Sequence, residues 1–146
     1  MLRIVSVVAA LAVGATFAYA QNLNVIKERK EAMKGIGGAA GVGGKMMKGE
    51  APFELAKVQA SLKTYQDNSA KVKGLIPDDS KTGGETEALP AIWEKKTDFL
   101  ARLDKMAADA KAATTAIKDE ASFKTEWPKV MSNCGGCHKE YRKPKQ

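Results

Sequence analysis

The stretch Glu120-Ala-Ser-Phe-Lys-Thr-Glu-Trp-Pro-Lys-Val-Met-Ser-Asn-Cys-Gly-Gly-Cys-His-Lys-Glu-Tyr-Arg142 sets Phe123, Trp127, Val130, Met131, Cys134, Cys137, His138 and Tyr141 along one helical stripe. Steps of three and four residues put them on a single face and predict an amphipathic helix from Glu120 to Arg142. Asp119 stands where an N-cap is wanted. Pro128 is the one conflict: an interior proline loses a hydrogen bond, which predicts a kink or a delayed start.

Working outward from that helix, helical spacing prevails over strand spacing in every segment. From Asn22 to about Lys48 the positions Val25, Ile26, Arg29, Ala32, Met33, Ile36, Ala39, Ala40, Gly43, Met46 and Met47 form one face. Six glycines from Gly35 to Gly44 weaken that helix, while allowing a neighbouring backbone or a planar group to approach. Gly49 ends it and Pro52 opens the next, predicted from Pro52 to Lys73 with Leu55, Val58, Leu62, Tyr65, Ser69 and Val72 inward. Residues 77–87 read as a loop. A third helix is expected from Pro90 to Ile117, with Trp93, Phe99, Leu100, Leu103, Met106, Ala110 and Ala113 facing the core. The pattern predicts an all-α fold, an antiparallel four-helix bundle whose middle connection is the longest.

Composition limits the chemistry. The chain has 146 residues, a net charge of +7, two cysteines and one histidine. One histidine excludes a multi-histidine metal site, and two cysteines exclude a disulfide-rich scaffold. Lysines are mixed with acidic residues along most of the chain, so a solvated surface is the reading and nucleic acid is not the expected partner. Met1-Leu-Arg3, an apolar run to Tyr19 and Ala18-Tyr19-Ala20 before Gln21 predict a secretory signal over residues 1–20, cleaved after Ala20 to leave a single domain at 21–146. The apolar run is short of the roughly 20 residues of a spanning helix, so the mature chain is not expected to cross a membrane.

Cys134-Gly-Gly-Cys-His138 uses both cysteines and the only histidine within five residues. In an exported protein this is the attachment signature of c-type haem. Two thiols three residues apart on a helix can add to the two vinyl groups of one porphyrin edge, and the adjacent imidazole can bind iron. A structural zinc site wants four protein ligands where three are at hand. A thioredoxin-like dithiol usually sits in a βαβ setting absent from this pattern. A plain disulfide leaves the histidine unexplained.

The motif near the end of the last of four helices resembles the class II c-type cytochromes, cytochrome c prime and its low-spin, methionine-ligated relatives. The resemblance runs through Arg29-x-x-x-Met33, Lys48-Gly-Glu-Ala-Pro-Phe53, Gly83-Gly-Glu-Thr86 ahead of Ile92-Trp93, and Cys134-Gly-Gly-Cys-His138-Lys-Glu-Tyr-Arg142. It implies a left-handed bundle with one covalent haem c buried between the helices and attached to the C-terminal one, often paired as a homodimer through the first two helices. Carried over, Cys134 and Cys137 form the thioethers and His138 is the axial iron ligand. Arg29 matches the arginine near a haem propionate and Lys30 the position after it. Glu85 and Thr86 match the loop over the haem edge, and Arg142 lies close to the proximal imidazole.

The sixth position of iron separates two functions. Met131 shares the face of His138 and cannot reach around the ring, Met46 and Met47 lie about 20 Å along the first helix from Met33, and Met106 reads as core. Met33 is the candidate distal ligand. As a ligand it gives a one-electron carrier with a potential raised by the thioether. As pocket lining it leaves iron five-coordinate behind an apolar cap, open to small diatomics such as NO or CO. No acid and base converge beside the haem, so catalysis is not expected. The basic tail, Lys139-Glu-Tyr-Arg142-Lys143-Pro-Lys145, is either a solvated end or a guide for an acidic redox partner.

Overall fold

The structure, a computed structural model, describes the backbone of residues 5–144 and the side chains of residues 23–144. The expected signal segment therefore lies partly outside the described residues, as does Lys145 of the tail. Helix α1 spans Val5–Met47 and α2 spans Leu55–Lys73. A 3-10 turn at Asp78–Ser80 interrupts the long connection. Then come a one-turn helix α3 (Ala91–Glu94), α4 (Lys96–Ala116) and α5 (Glu120–Tyr141). Helix α2 packs on both α1 and α4, and α4 on α5. No strand is present among the described residues; the only pairing of that kind is an isolated antiparallel bridge from Ala88 to Arg142.

Several boundaries differ from the sequence expectation. The backbone of α1 is helical from Val5, not from Asn22. Helix α2 begins at Leu55, not Pro52, because the chain stays extended through Glu54. Phe53 thereby packs its ring 5.5 Å from that of Phe123. Leu55 is consequently exposed instead of facing inward. The expected third helix is broken at Lys95, whose backbone (φ −117°, ψ 42°) leaves the helical region. The break aims the turn before it, so that Ile92 is buried and the Trp93 indole N–H donates to the carbonyl of Pro77 at 3.0 Å. Helix α5 ends at Tyr141; Arg142 is its extended cap, held in the bridge to Ala88.

The start of α5 is as read. Asp119 accepts from the Ser122 amide at 2.8 Å, and Ser122 Oγ accepts from the Asp119 amide at 3.0 Å. This reciprocal box satisfies two donors that a helix start leaves open. Pro128 therefore does not delay the helix; it is exposed, on the face where a missing amide hydrogen leaves no buried carbonyl unpaired.

The core holds two groups of aromatic contacts, one of them the pair Phe99 and Tyr141 with ring centroids 5.2 Å apart. Tyr65, Trp127, Phe123 and Phe53 form a chain of tilted ring contacts, with Tyr65 and Phe123 fully buried. Helix α1 reaches this cluster only because residue 43 has no side chain. A Cβ at Gly43 would stand 2.0 Å from Trp127 Cζ2. By contrast, a Cβ at Gly41 would meet nothing within 4 Å.

Polar bonds join α4 to the end of α5. Asp98 accepts from the Tyr141 hydroxyl at 2.5 Å and from Arg102 Nε at 2.7 Å. Arg102 also donates to Glu140 at 2.9 Å, as does Lys95 at 2.7 Å. The Tyr141 hydroxyl, and then Arg102, hold the Asp98 carboxyl below its ordinary range. Burial, reinforced by the bond to Asp98, pushes Tyr141 up to about 12.

Two predictions follow from this packing. Gly43→Ala forces the Trp127 indole to move and is expected to destabilise by about 1–3 kcal/mol. Gly41→Ala, in open space, should instead stabilise by up to about 1 kcal/mol; urea denaturation of the two variants checks the opposite signs. For Asp98, the unfolded chain binds the proton more readily than the folded one, so the stabilisation is present above the ordinary carboxylate value of 3.8 and is lost as pH falls through the lower folded value. Thermal midpoints taken from about pH 5 down to about pH 2 should fall less steeply for Asp98→Asn than for the parent chain.

Candidate functional site

The site is assembled at the end of the bundle where α1 meets the α2–α3 connection. Arg29 lies on the inward stripe of α1, and only 5% of it is exposed. Its guanidinium donates to the Leu75 carbonyl at 2.9 Å, to Ser80 Oγ at 3.1 Å, to the Ser80 carbonyl at 3.2 Å and to Thr86 Oγ1 at 3.3 Å. Its Cζ also stands 5.3 Å from the ring centroid of Trp93. Every one of these acceptors is neutral. Burial pulls the Arg29 pKa down, yet a guanidinium stays protonated, so a full positive charge is held here among dipoles and a ring face. Buried charges are ordinarily paired.

The neighbouring residues gather around the same loop. Lys30 Nζ approaches Glu85 at 3.8 Å across the loop edge, an exposed pair that contributes little energy but marks the rim. Thr86 is held twice, its Oγ1 by Arg29 and its carbonyl by Lys143 Nζ at 2.9 Å. Leu23, Ile26, Lys27, Lys30, Glu31, Gly84 and Glu85 line a shallow cavity of about 220 Å³ beside this rim.

On α5, Cys134 and Cys137 are unlinked and half-buried, and His138 is half-buried beside them. Burial pushes both thiols up, with Arg102 partly opposing this at Cys137. A redox dithiol needs a thiolate at neutral pH, so burial of this kind works against the dithiol reading. No cluster of three or more His, Cys, Asp or Glu suited to hold a metal ion is present among the described residues. Arg142 has left the helix, so the geometry of a helical step from His138 does not apply to it; its backbone amide donates to the His138 carbonyl at 3.2 Å. Its Nε is buried without a hydrogen-bond partner among the described residues.

Met33 sits one turn beyond Arg29 on α1, half-buried against the core. Met47, near the far end of α1, is half-buried like Met33. Met46 and Met106 are buried in the core, and Met131 takes the Tyr65 hydroxyl at 3.5 Å.

These features suit a flat, dianionic, largely apolar group. An uncompensated buried arginine and a buried, unpartnered Arg142 Nε call for carboxylates, and unlinked, protonated thiols are the form in which cysteines add to vinyl groups. The structure brings Arg29 to Thr86 and Lys30 to Glu85. Sequence reasoning passed over Ser80, the Leu75 carbonyl and Trp93 as the partners of Arg29. The signal was available in Arg29 itself, since an arginine on an apolar stripe must find acceptors from a distant segment.

Comparison with known proteins agrees with this arrangement. A family model described as Cytochrome C′ matches residues 24–142. A cytochrome c′ of Rhodopseudomonas palustris is 46% identical over 99% of this chain and 98% of its own length. A cytochrome c-556 of Agrobacterium fabrum is 35% identical, covering 90% of this chain and 87% of its own. The solved cytochrome c′ from Rhodopseudomonas palustris superposes with a TM-score of 0.81 at 48% identity, over 84% of this chain and 98% of the other. The chain therefore belongs to the cytochrome c′ family, the class II c-type cytochromes, four-helix bundles that carry covalently attached haem c.

Proposed function

We propose that this protein is a periplasmic one-electron carrier with Met33 as the sixth ligand. In this reading Cys134 and Cys137 hold the haem through thioethers and His138 is the proximal ligand. The observation that carries it is the placement of Met33, half-buried one turn beyond the buried Arg29 on α1, whereas Met46 and Met106 are sealed in the core and Met131 takes the Tyr65 hydroxyl. When bound, haem supplies a one-electron couple whose potential a histidine and thioether pair raises.

The chain's own residues do the rest. Arg29 brings a buried positive charge to the carboxylate edge, and the loop through Ser80 and Thr86 keeps that guanidinium from turning to water. Arg142 Nε offers an unpaired donor at the motif end. Both proposed axial donors are neutral, so a change of iron charge requires no proton at either of them. Lys30 and Glu85, paired at the rim, would face a redox partner protein if the haem edge lies there.

Export is supported by the lengths that match. The solved relative is covered over 98% of its own chain by 84% of this one, whereas a full-length relative aligns with 99% of it. Among the described residues no helix is long and apolar enough to cross a membrane.

The 46% identical relative named cytochrome c′ favours a second reading, in which Met33 only lines the pocket and the iron binds NO or CO. One measurement separates them. The ferrous wild-type protein is expected to be low-spin and unchanged on adding CO, and Met33→Leu should take up CO with a change of visible spectrum. A wild-type ferrous protein that is high-spin and binds CO at once selects the gas-binding role.

A further inference from the structure

The turn of α1 that bears Met33 is attached to its neighbours by polar bonds on either side. One is Arg29, a turn earlier, tied to Leu75, Ser80 and Thr86. The other is Asn68 of α2, whose Nδ2 donates to the carbonyl of Ala32 at 3.1 Å. That carbonyl lies inside α1, where it is already an acceptor of the helical ladder, so Asn68 uses its second lone pair. The amide fits only because residue 35 lacks a side chain. A Cβ at Gly35 would stand 2.6 Å from Asn68 Nδ2 and 3.8 Å from its Cγ.

Such a pin matters here because the inward face of this part of α1 is smooth. Ala32, Gly35, Ala39 and Gly43 follow one another along it, with Ile36 the single large aliphatic side chain among them. Helices set their register by fitting side-chain ridges into grooves, and small residues supply shallow ridges. A methionine side chain has three free torsions and adapts readily, so the fold can fix its sulfur only through the backbone from which it grows.

We propose that Asn68, seated in the Gly35 gap and bonded to Ala32, is a positioning residue that fixes the height and rotation of this turn and so keeps the Met33 thioether in place as an axial ligand. The inference rests on the Met33 reading above. Asn68 itself touches neither iron nor porphyrin in this assignment; it acts through α1.

The test uses the mature holoprotein and four variants: Asn68→Ala, Gly35→Ala, the double variant, and Gly43→Ala as a control that disturbs α1 at Trp127. Asn68→Ala and Gly35→Ala should each weaken the methionine-to-iron band at the red edge of the oxidised spectrum and raise the ferrous CO association rate at least threefold. Gly43→Ala should lower the thermal midpoint while leaving band and CO rate as in the parent. Gly35→Ala should lower the midpoint in the parent and much less in the Asn68→Ala background, where no amide is left to collide with. Should Gly35→Ala fail to fold, Asn68→Ala, which only removes atoms, still decides the spectroscopic question. An Asn68→Ala protein with the parent's band and CO rate overturns the proposal, and so does an equal cost of Gly35→Ala in both backgrounds. A parent protein that binds CO at once overturns the Met33 assignment and this inference together; a CO-refractory parent with an unchanged Asn68→Ala variant overturns this inference alone.

Discussion

A guanidinium buried without a carboxylate governs this molecule. Arg29 collects the Leu75 carbonyl just beyond α2, both oxygens of Ser80 and the hydroxyl of Thr86. Those acceptors come from segments 46 to 57 residues away, so one side chain closes the longest connection in the fold onto α1. Hydrogen bonds to a charged group contribute about 1.5–3 kcal/mol each where formed, against a large penalty for burying the charge. The loop and the arginine are therefore two parts of one electrostatic unit, which leaves a positive charge that an anion would complete.

The opposite constraint acts where α1 meets the other helices, and it is steric. At Gly43 the helix admits the Trp127 indole, and at Gly35 it admits the Asn68 amide. Each glycine lowers the intrinsic stability of α1 by about 1 kcal/mol relative to alanine, so tertiary contacts have to offset that loss. They do so with a large aromatic surface at one end and a directional hydrogen bond near the other. A helix that would be marginal in isolation thus becomes the wall that carries Arg29 and Met33.

Much of this was legible in the sequence for identifiable reasons. The stripe of α5 and the Asp119 cap were readable because helical spacing and capping are local properties, and the haem motif because its chemistry is contained within five residues. The convergence of Lys30 with Glu85 and of Arg29 with Thr86 came through resemblance, since nothing local links those positions. What escaped was decided at a distance. The break at Lys95 follows from Ile92 seeking the core and the Trp93 indole seeking the Pro77 carbonyl, and the late start of α2 from the contact between Phe53 and Phe123. A periodicity count cannot see either partner. Asn68 was invisible for the same reason: as a polar residue in a helix it resembles a solvated one until its acceptor on α1 is known.

In the tail, side chains and backbone are placed differently. Concentrated lysines and arginines suggested an end left in water or offered to an acidic partner, and Lys139 and Lys143 are exposed. Up to residue 144 the backbone is nonetheless held. The Lys143 amide donates to the Glu87 carbonyl, its Nζ donates to the Thr86 carbonyl, and the Leu89 amide donates to the Tyr141 carbonyl. The segment that follows the haem motif is thus stitched to the loop that Arg29 grips from the other side. Thr86 is the shared point, its hydroxyl held from α1 and its carbonyl from beyond α5. Two helices that touch each other little along their length are consequently joined at this end through one loop residue, and a displacement of the loop would be felt both at Arg29 and at the end of the helix that carries His138.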